Sequence, residues 1–313
     1  LQVIAYTRDE NGNNWGCVLR WKDRDGRTRE WAMPFSLLKG NGEQIFEKLF
    51  DAGLEIEPGR NVRNALMRYV QAVQPPRMAM STDKTGWHKD RFVLPDAIIP
   101  ATDELLLQSE HIQHHAFNVR GTLQDWHENV GRYFAGNSRL ILGACAAFAA
   151  PLLRFANTDS AIFHLRGSSS LGKSTALWAA ASIWGGGEGN GYIQQWRSTD
   201  NALEATAQSH NDCLLCLDEM GQVDGRVVGE VAYMLANEAG KSRMSKGIEL
   251  RPRKTWKLLG LSTGEVTLAD KMREAGKKPQ AGMETRLIDI PADEDAGYGL
   301  FETLHGFAGG DEF

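Results

Sequence analysis

Cysteine is scarce in this chain. Four residues of 313, Cys17, Cys145, Cys213 and Cys216, make no disulfide framework of the kind that holds small secreted folds together, so a reducing cytoplasm fits best. Cys213 and Cys216 have C-x-x-C spacing, but they lie in a strand-like run where positions i and i+3 face opposite sides, which disfavours zinc chelation and redox pairing alike. Long apolar runs are missing too. The longest, Leu140 to Leu153, spans 14 residues, contains Pro151 and is flanked by Arg139 and Arg154. That is too short to cross a bilayer; it predicts a buried core helix and no membrane partner, and no signal peptide is apparent. Positive charge is not in excess: 35 Lys and Arg against 40 Asp and Glu leave a net charge of -5. A uniformly basic nucleic-acid binder is thereby excluded, and any such surface must be local. No internal repeat or low-complexity tract stands out. The chain also begins at Leu1 without a Met and stops at Phe313 just after Gly309-Gly310, and so reads as a piece excised from a longer protein.

What is present suffices for two domains, each with its own core. Residues 1–40 alternate apolar and polar positions between turn signals at Asp9-Glu10-Asn11-Gly12-Asn13 and Asp23-Arg24-Asp25-Gly26, which predicts a β-meander. Helices are expected at Gly42 to Ala52 and Asn61 to Val73, and a second β portion from Arg77 to Leu94. This is a smaller α+β domain over residues 1–100, with a boundary in the Pro- and Asp-bearing stretch Pro95 to Asp103 and a linker over 101–121. Its Trp15, Trp21, Trp31, Trp87 and Phe92 are read as core in preference to a base-stacking platform. His111, His114 and His115 are read as surface loop histidines, because their segment has no cysteine and Glu110 is its only carboxylate.

From Leu123 the pattern turns helical, over Leu123 to Phe134 and Ser138 to Phe155, and then strand and helix alternate. Strands are expected at 160–166, 192–195, 213–218, Thr255 to Leu261 and Leu287 to Ile290. Helices are expected at 173–184, Asp200 to Gln208, Arg226 to Ala239 and Thr267 to Ala275. Such alternation predicts an α/β fold over 122–313, a parallel sheet with helices on both faces.

The most informative segment lies between the first of those strands and its helix. Gly167-Ser168-Ser169-Ser170-Leu171-Gly172-Lys173-Ser174 is the G-x-x-x-x-G-K-[ST] phosphate loop, followed by Thr175. The glycines let backbone N–H groups close around phosphates, and the following helix offers its positive end to the same charge. Lys173 is expected to reach the β and γ phosphates and Ser174 to hold Mg²⁺. About forty residues on, Cys213-Leu214-Leu215-Cys216-Leu217-Asp218-Glu219 ends a buried-type strand in two carboxylates, where a Walker B strand belongs. Asp218 would join the Mg²⁺ shell and Glu219 would polarise an attacking water. The ligands implied are ATP and Mg²⁺.

Two later positions choose among phosphate-loop proteins. Strand Thr255 to Leu261 would deliver Ser262, Thr263 and Glu265 to its end, where ring ATPases of the AAA+ class keep a γ-phosphate sensor; Thr263 or Ser262 fits. Arg286 stands just before the last strand, where the AAA+ order puts an arginine that reaches the neighbouring subunit's nucleotide. Between Lys241 and Lys257, seven of 17 residues are basic and one is acidic. Lys246-Gly247 would turn a hairpin there, and Lys246, Arg251 and Arg253 would track a phosphate backbone in a ring's pore. Lys241 and Arg243 have a second reading, facing a neighbour's nucleotide.

The chain resembles a family of prophage and mobile-element P-loop proteins catalogued as domain of unknown function 927, often described as helicases or their inactivated derivatives. The resemblance is carried by Thr85-Gly86-Trp87-His88 with Val93-Leu94-Pro95, Gly167 to Ser174, Trp196-Arg197-Ser198-Thr199 and Asn201-Ala202-Leu203-Glu204. It continues through Leu217-Asp218-Glu219, Tyr233-Met234-Leu235-Ala236-Asn237 with Gly240-Lys241, Leu261-Ser262-Thr263-Gly264-Glu265 and Arg286-Leu287-Ile288-Asp289-Ile290. It implies kinship with the replicative helicases of staphylococcal cassette elements, which look like the MCM branch of AAA+ ring motors. Both Walker motifs are intact, while the AAA+ lid and its sensor 2 arginine are not recognisable before Phe313. The function expected is an ATP-hydrolysing motor, a homo-hexamer that passes single-stranded DNA through its pore. The alternatives are a nucleotide-gated switch or scaffold acting on a protein partner, and a monomeric nucleotide-dependent kinase, for which no second substrate site is evident.

Overall fold

The computed structural model describes residues 1–57, 59–110, 115–186, 191–241, 253–278, 281–293 and 297–313. They form two compact units, Leu1–His115 and Ala116–Phe313.

In the first unit β1 (Gln2–Arg8), β2 (Gly16–Lys22) and β3 (Thr28–Pro34) form an antiparallel meander. Its turns follow the Asp-Gly signals: Asp9 Oδ1 accepts from the Asn11 and Asn13 N–H groups, and Gly12 takes φ 75°. Helices α1 (Glu43–Asp51) and α2 (Arg60–Ala72) lay one apolar stripe each into the core. Ile45, Phe46 and Leu49 of α1 join Leu66 and Val70 of α2 around Leu19, Trp21, Trp31 and Met33 of the meander. Each such side chain contributes about 1.5–3 kcal/mol on burial. Trp21, Trp31 and Phe92 are core residues, whereas Trp15 is 42% exposed. The chain continues through β4 (Met78–Thr82), β5 (Gly86–His88), β6 (Arg91–Val93), β7 (Ile98–Ile99) and β8 (Leu105–Leu107). β4 and β8 extend the meander in parallel to a sheet of order β3-β2-β1-β4-β8, and β5-β6-β7 make a small antiparallel sheet. The stretch expected as boundary and linker therefore supplies strands to this unit. Its turn residues mark the bends at 95–103, and the pairing of Leu105–Leu107 with Met80–Thr82 is a non-local contact that composition does not announce.

The second unit opens with α3 (Leu123–Asn129), capped by Thr122 and Asp125 in a reciprocal box, and α4 (Ser138–Ala149), continued past a 3₁₀ turn by α5 (Leu153–Ala156). Then come β9 (Ala161–Arg166), α6 (Lys173–Ala181), β10 (Gln194–Gln195), α7 (Asp200–Ser209), β11 (Leu214–Asp218) and α8 (Val228–Ala236). The last elements are β12 (Leu259–Gly264), α9 (Leu268–Glu274), α10 (Ala281–Glu284) and β13 (Leu287–Pro291). All five strands are parallel, in the order β10-β11-β12-β9-β13. Helices α4 and α6 pack on one face, and α7, α8 and α9 cluster over the other. Alanine and glycine permit the close approach on the first face: a Cβ on Gly143 would stand 3.2 Å from Ala180 and 3.3 Å from Leu261.

Two expectations need correction. The strand placed at Thr255 to Leu261 begins at Leu259 and runs to Gly264. Ahead of it, side chains take the backbone donors: Lys257 N–H goes to Asn211 Oδ1 and Leu258 N–H to Ser160 Oγ, each at 2.9 Å. The supposed buried core helix has only one buried face. Ile141, Phe148, Leu152 and Phe155 are exposed along the other, and Ser138–Ala156, 19 residues of mean hydropathy 1.5, is long and apolar enough to cross a membrane by length and composition. In the structure its buried face packs against α6 and against β11 and β12 of the sheet.

Two histidines sit inside this unit. His164 is fully buried; its Nε2–H donates to Val266 O at 3.1 Å and its Nδ1 accepts from Ser262 Oγ at 2.9 Å, while Trp196 Nε1–H donates to the same Ser262 hydroxyl at 2.7 Å. His210 donates through Nδ1 to Thr206 O, and its Nε2 is buried without a partner. Burial pulls both to a pKa of about 4. The unfolded chain then takes up protons below about pH 6.5 that the folded chain refuses until about pH 4. Stability is therefore full above pH 6.5 and lost as pH falls toward 4. Between pH 7 and 5 each histidine should cost about 2 kcal/mol. Urea midpoints should fall over that interval, and His210→Gln should remove about half of the fall; a flat profile in the wild type contradicts the assignment.

Candidate functional site

Parallel pairing carries the carboxyl ends of the strands to one rim of the sheet. There β9 leads into the glycine loop, and register fixes what stands beside it. Leu165 pairs with Thr263, and Leu217 of β11 pairs with Ser262; Asp218 thus comes level with Thr263. The loop's entry and Asp218 are two strands apart, roughly 10 Å at about 4.8 Å per strand.

The loop itself is shaped by left-handed residues. Ser170 (φ 62°) and Gly172 (φ 86°) take left-handed backbone, the kind of conformation from which anion-binding nests of N–H groups are built. A Cβ at Gly167 would meet Leu171 at 2.6 Å, and one at Gly172 would meet the Phe301 ring at 2.7 Å. Ser168, Ser169 and Ser170 are exposed, whereas Leu171, Lys173, Ser174 and Thr175 are partly buried. Gly172 is the cap of α6, so Lys173, Ser174 and Thr175 form its first turn. The Lys173 ammonium donates to Gly167 O at 2.9 Å and to Ser168 O. Burial lowers its pKa, opposed by the carboxylates of Glu265, Glu219 and Asp218.

Across the rim, Thr263 Oγ1 donates to Asp218 Oδ1, and Glu219 N–H donates to the same oxygen at 3.1 Å. Glu219 lies at φ 62° and ψ 56°, a left-handed backbone for a non-glycine residue, and Gln222 Nε2 donates to its Oε2 at 2.7 Å. Such a conformation costs on the order of 1–3 kcal/mol and persists only where surroundings enforce it. Ser262, the alternative to Thr263, points to the other face and is held by His164 and Trp196. The donor set fits a magnesium nucleotide: a glycine loop with its N–H groups, one cation, a helix-start hydroxyl and a carboxylate.

Arg286 lies at the opposite rim. Its carbonyl accepts from Ile162 N–H at the start of β9, and its guanidinium sits 5.4 Å from the Tyr233 ring centroid on α8. A strand of five or six residues puts roughly 16–20 Å between the rims. The root of the basic insertion is at that same rim: Ala239 and Thr255 form an antiparallel bridge, and Gly240 N–H donates to Lys254 O. Lys241 bonds Asp200 at 2.7 Å, and Arg253 donates through Nε to Gly240 O. Lys246, Arg251 and the expected Lys246-Gly247 turn, like Arg243, His111 and His114, lie outside the described residues. Among the described residues no three His, Cys, Asp or Glu side chains gather as metal ligands.

A family model matches residues 1–255 of the chain. The chain belongs to the family described as Domain of unknown function (DUF927). This DUF927 chain is similar over 93% of its length to a solved structure titled "SCCmec type IV Cch - active helicase", with a TM-score of 0.61 and 18% identity, and covers 54% of that chain. It thus spans about half the length of that relative, with which it shares a fold. NtrX from Brucella abortus in complex with ADP gives a TM-score of 0.30 at 13% identity, covering 58% of this chain and 38% of that one, a likeness too slight to carry an argument. No curated protein matches.

Sequence reasoning missed the C-terminal segment of this DUF927 chain. Phe301 is buried against Gly172, and Leu300 N–H donates to Leu171 O at 2.8 Å. The only local signal was glycine density at 297, 299, 306, 309 and 310, which marks a loop and not its destination. Gly172→Ala should cost roughly 1–3 kcal/mol, from the backbone conformation and the ring it would strike. A thermal melt would register this, and a variant as stable as the wild type would show that the ring is not seated there.

Proposed function

We propose that this chain is the ATP-hydrolysing core of an AAA+ ring motor, a replicative helicase of a prophage or mobile element that draws single-stranded DNA through a hexameric pore. The observation that carries the reading is the division of parts between two rims of one sheet. Lys173, Asp218, Glu219 and Thr263 share one rim; Arg286 and the root of the basic insertion share the other. A motor with its arginine so far from its own loop uses it on a neighbour, which supports a ring.

In this reading the loop N–H groups and Lys173 hold the β and γ phosphates. Lys173 exchanges its Gly167 and Ser168 carbonyls for phosphate oxygens, while the carboxylates of Glu265, Glu219 and Asp218 oppose the lowering of its pKa by burial. Ser174 and Asp218 would hold Mg²⁺, which neutralises charge building on the phosphoryl oxygens. Thr263 holds the Asp218 carboxylate in place. Glu219, fixed by its backbone and by Gln222, accepts the proton of the attacking water. Arg286 of each subunit neutralises the γ-phosphoryl of the next, a contribution on the order of 10³ to 10⁵ in rate.

Lys173→Ala should abolish ATP turnover, and Glu219→Gln should leave ATP bound and uncleaved. Equal hydrolysis by all three proteins sinks the site. Arg286→Ala should lose turnover by on the order of 10³-fold and regain part of it when mixed with Lys173→Ala, because mixed rings contain sites with both parts intact. Failure of every mixture to recover removes the trans role. For the motor, unwinding of forked DNA should vanish in Lys173→Ala and weaken when Lys246, Arg251 and Arg253 are neutralised together. Turnover and binding indifferent to DNA and to those three changes would point instead to a nucleotide-gated scaffold for a protein partner.

A further inference from the structure

The segment after β13 has no task in that scheme. It leaves the rim at Ala292, whose N–H donates to Arg166 O at 2.7 Å, and returns over the glycine loop to the Leu300–Leu171 hydrogen bond. Gly299, at φ 65°, lies so close that a Cβ there would stand 2.8 Å from Leu171 O. A fully buried side chain, Asn137, pins the segment from the start of α4. Its Oδ1 accepts from Glu302 N–H at 2.9 Å and Thr303 N–H at 3.0 Å, and its Nδ2 donates to Thr303 O at 2.9 Å. Ser138 N–H donates to Glu302 Oε2 at 2.7 Å beside it.

Between loop and segment lies a cavity of about 580 Å³, within the range of about 300–1,000 Å³ usual for small-molecule sites. Ser170, Leu171 and Gly172 form one wall; Tyr298, Asp293 and Asp311 belong to the other. The two walls differ in chemistry. The loop wall, Ser170 to Gly172, ends at the cap of α6 and so adjoins the residues assigned to phosphate. The segment wall offers carboxylates, hydrogen-bond acceptors that suit hydroxyl or amino groups, together with a tyrosine ring 47% exposed. A ligand that matches both has a polyanionic end, hydroxyl or amino donors beyond it, and a flat aromatic face.

We propose that this cavity holds the nucleoside half of the bound nucleotide, with Tyr298 stacked on the base and Asp293 and Asp311 accepting from ribose hydroxyls or a base amino group. The assignment rests on the phosphate reading of the glycine loop and extends it to the rest of the ligand. Asn137 is a positioning residue that fixes the wall.

Titration calorimetry with Mg²⁺ and either ATP or inorganic tripolyphosphate tests it on the full chain. Wild type should prefer ATP. Tyr298→Ala should bind ATP about tenfold or more weakly with tripolyphosphate unchanged, and Tyr298→Phe should restore ATP affinity. Lys173→Ala should weaken both ligands. If Tyr298→Ala and Asp311→Asn bind ATP like the wild type while Lys173→Ala does not, the nucleoside assignment falls and the phosphate reading stands. If the wild type binds neither ligand, both fall.

Discussion

Parallel pairing of β9, β12 and β11 is the constraint on which the site depends. A parallel sheet sends every strand's carboxyl end the same way, so residues far apart in sequence arrive together without any contact designed for each pair. Thr263 meets Asp218 because Ser262 is in register with Leu217, and Gly167 N–H meets Gly264 O at 3.2 Å for the same reason. A slip of one residue in β12 would exchange Thr263 with Ser262. The hydroxyl now on the Asp218 carboxylate would then turn into the core, and the one now held by His164 and Trp196 would face the rim. The buried chain from Trp196 through Ser262 and His164 to Val266 makes that slip costly, since each of its polar atoms has its partner only in the observed register.

The glycine loop and the β11 carboxylates were legible in the sequence because their signals are local. A phosphate nest needs glycine at fixed positions, and a buried strand ending in acids is visible in seven residues. The strand and helix order of the second unit was legible for a similar reason, through periodicity. What escaped was set by distant partners. The start of β12 depends on Asn211 and Ser160 taking the N–H groups of Lys257 and Leu258. The course of the C-terminal segment depends on Asn137, some 165 residues away along the chain. The exposed stripe of α4 and α5 reads as core in the sequence because it too is largely apolar, with Ile141, Phe148, Leu152 and Phe155 on it.

The two rims also separate two kinds of requirement. The loop rim gathers a cation, a glycine loop and carboxylates at one end of the sheet, with left-handed backbone at Ser170 and Glu219 supported by the strands beneath. The opposite rim must present groups outward, and there the polar contacts are anchors for loops. Glu238 is the clearest of these, a left-handed residue just past α8 whose carboxylate accepts from Ser160 N–H and Oγ and from Lys257 Nζ.

That anchor has a mechanical meaning. Ser160 and Lys257 stand just before β9 and β12, the two neighbouring strands at the middle of the sheet, and Glu238 stands at the foot of the basic insertion. A tug on the insertion is therefore delivered lengthwise into that strand pair. Held at the same end, the two parallel strands would take that load together, and their shared ladder of hydrogen bonds keeps them in register. The far ends of the same two strands are the glycine loop and Thr263, which makes the sheet a stiff rod joining the place where force would be felt to the place where phosphate would be held.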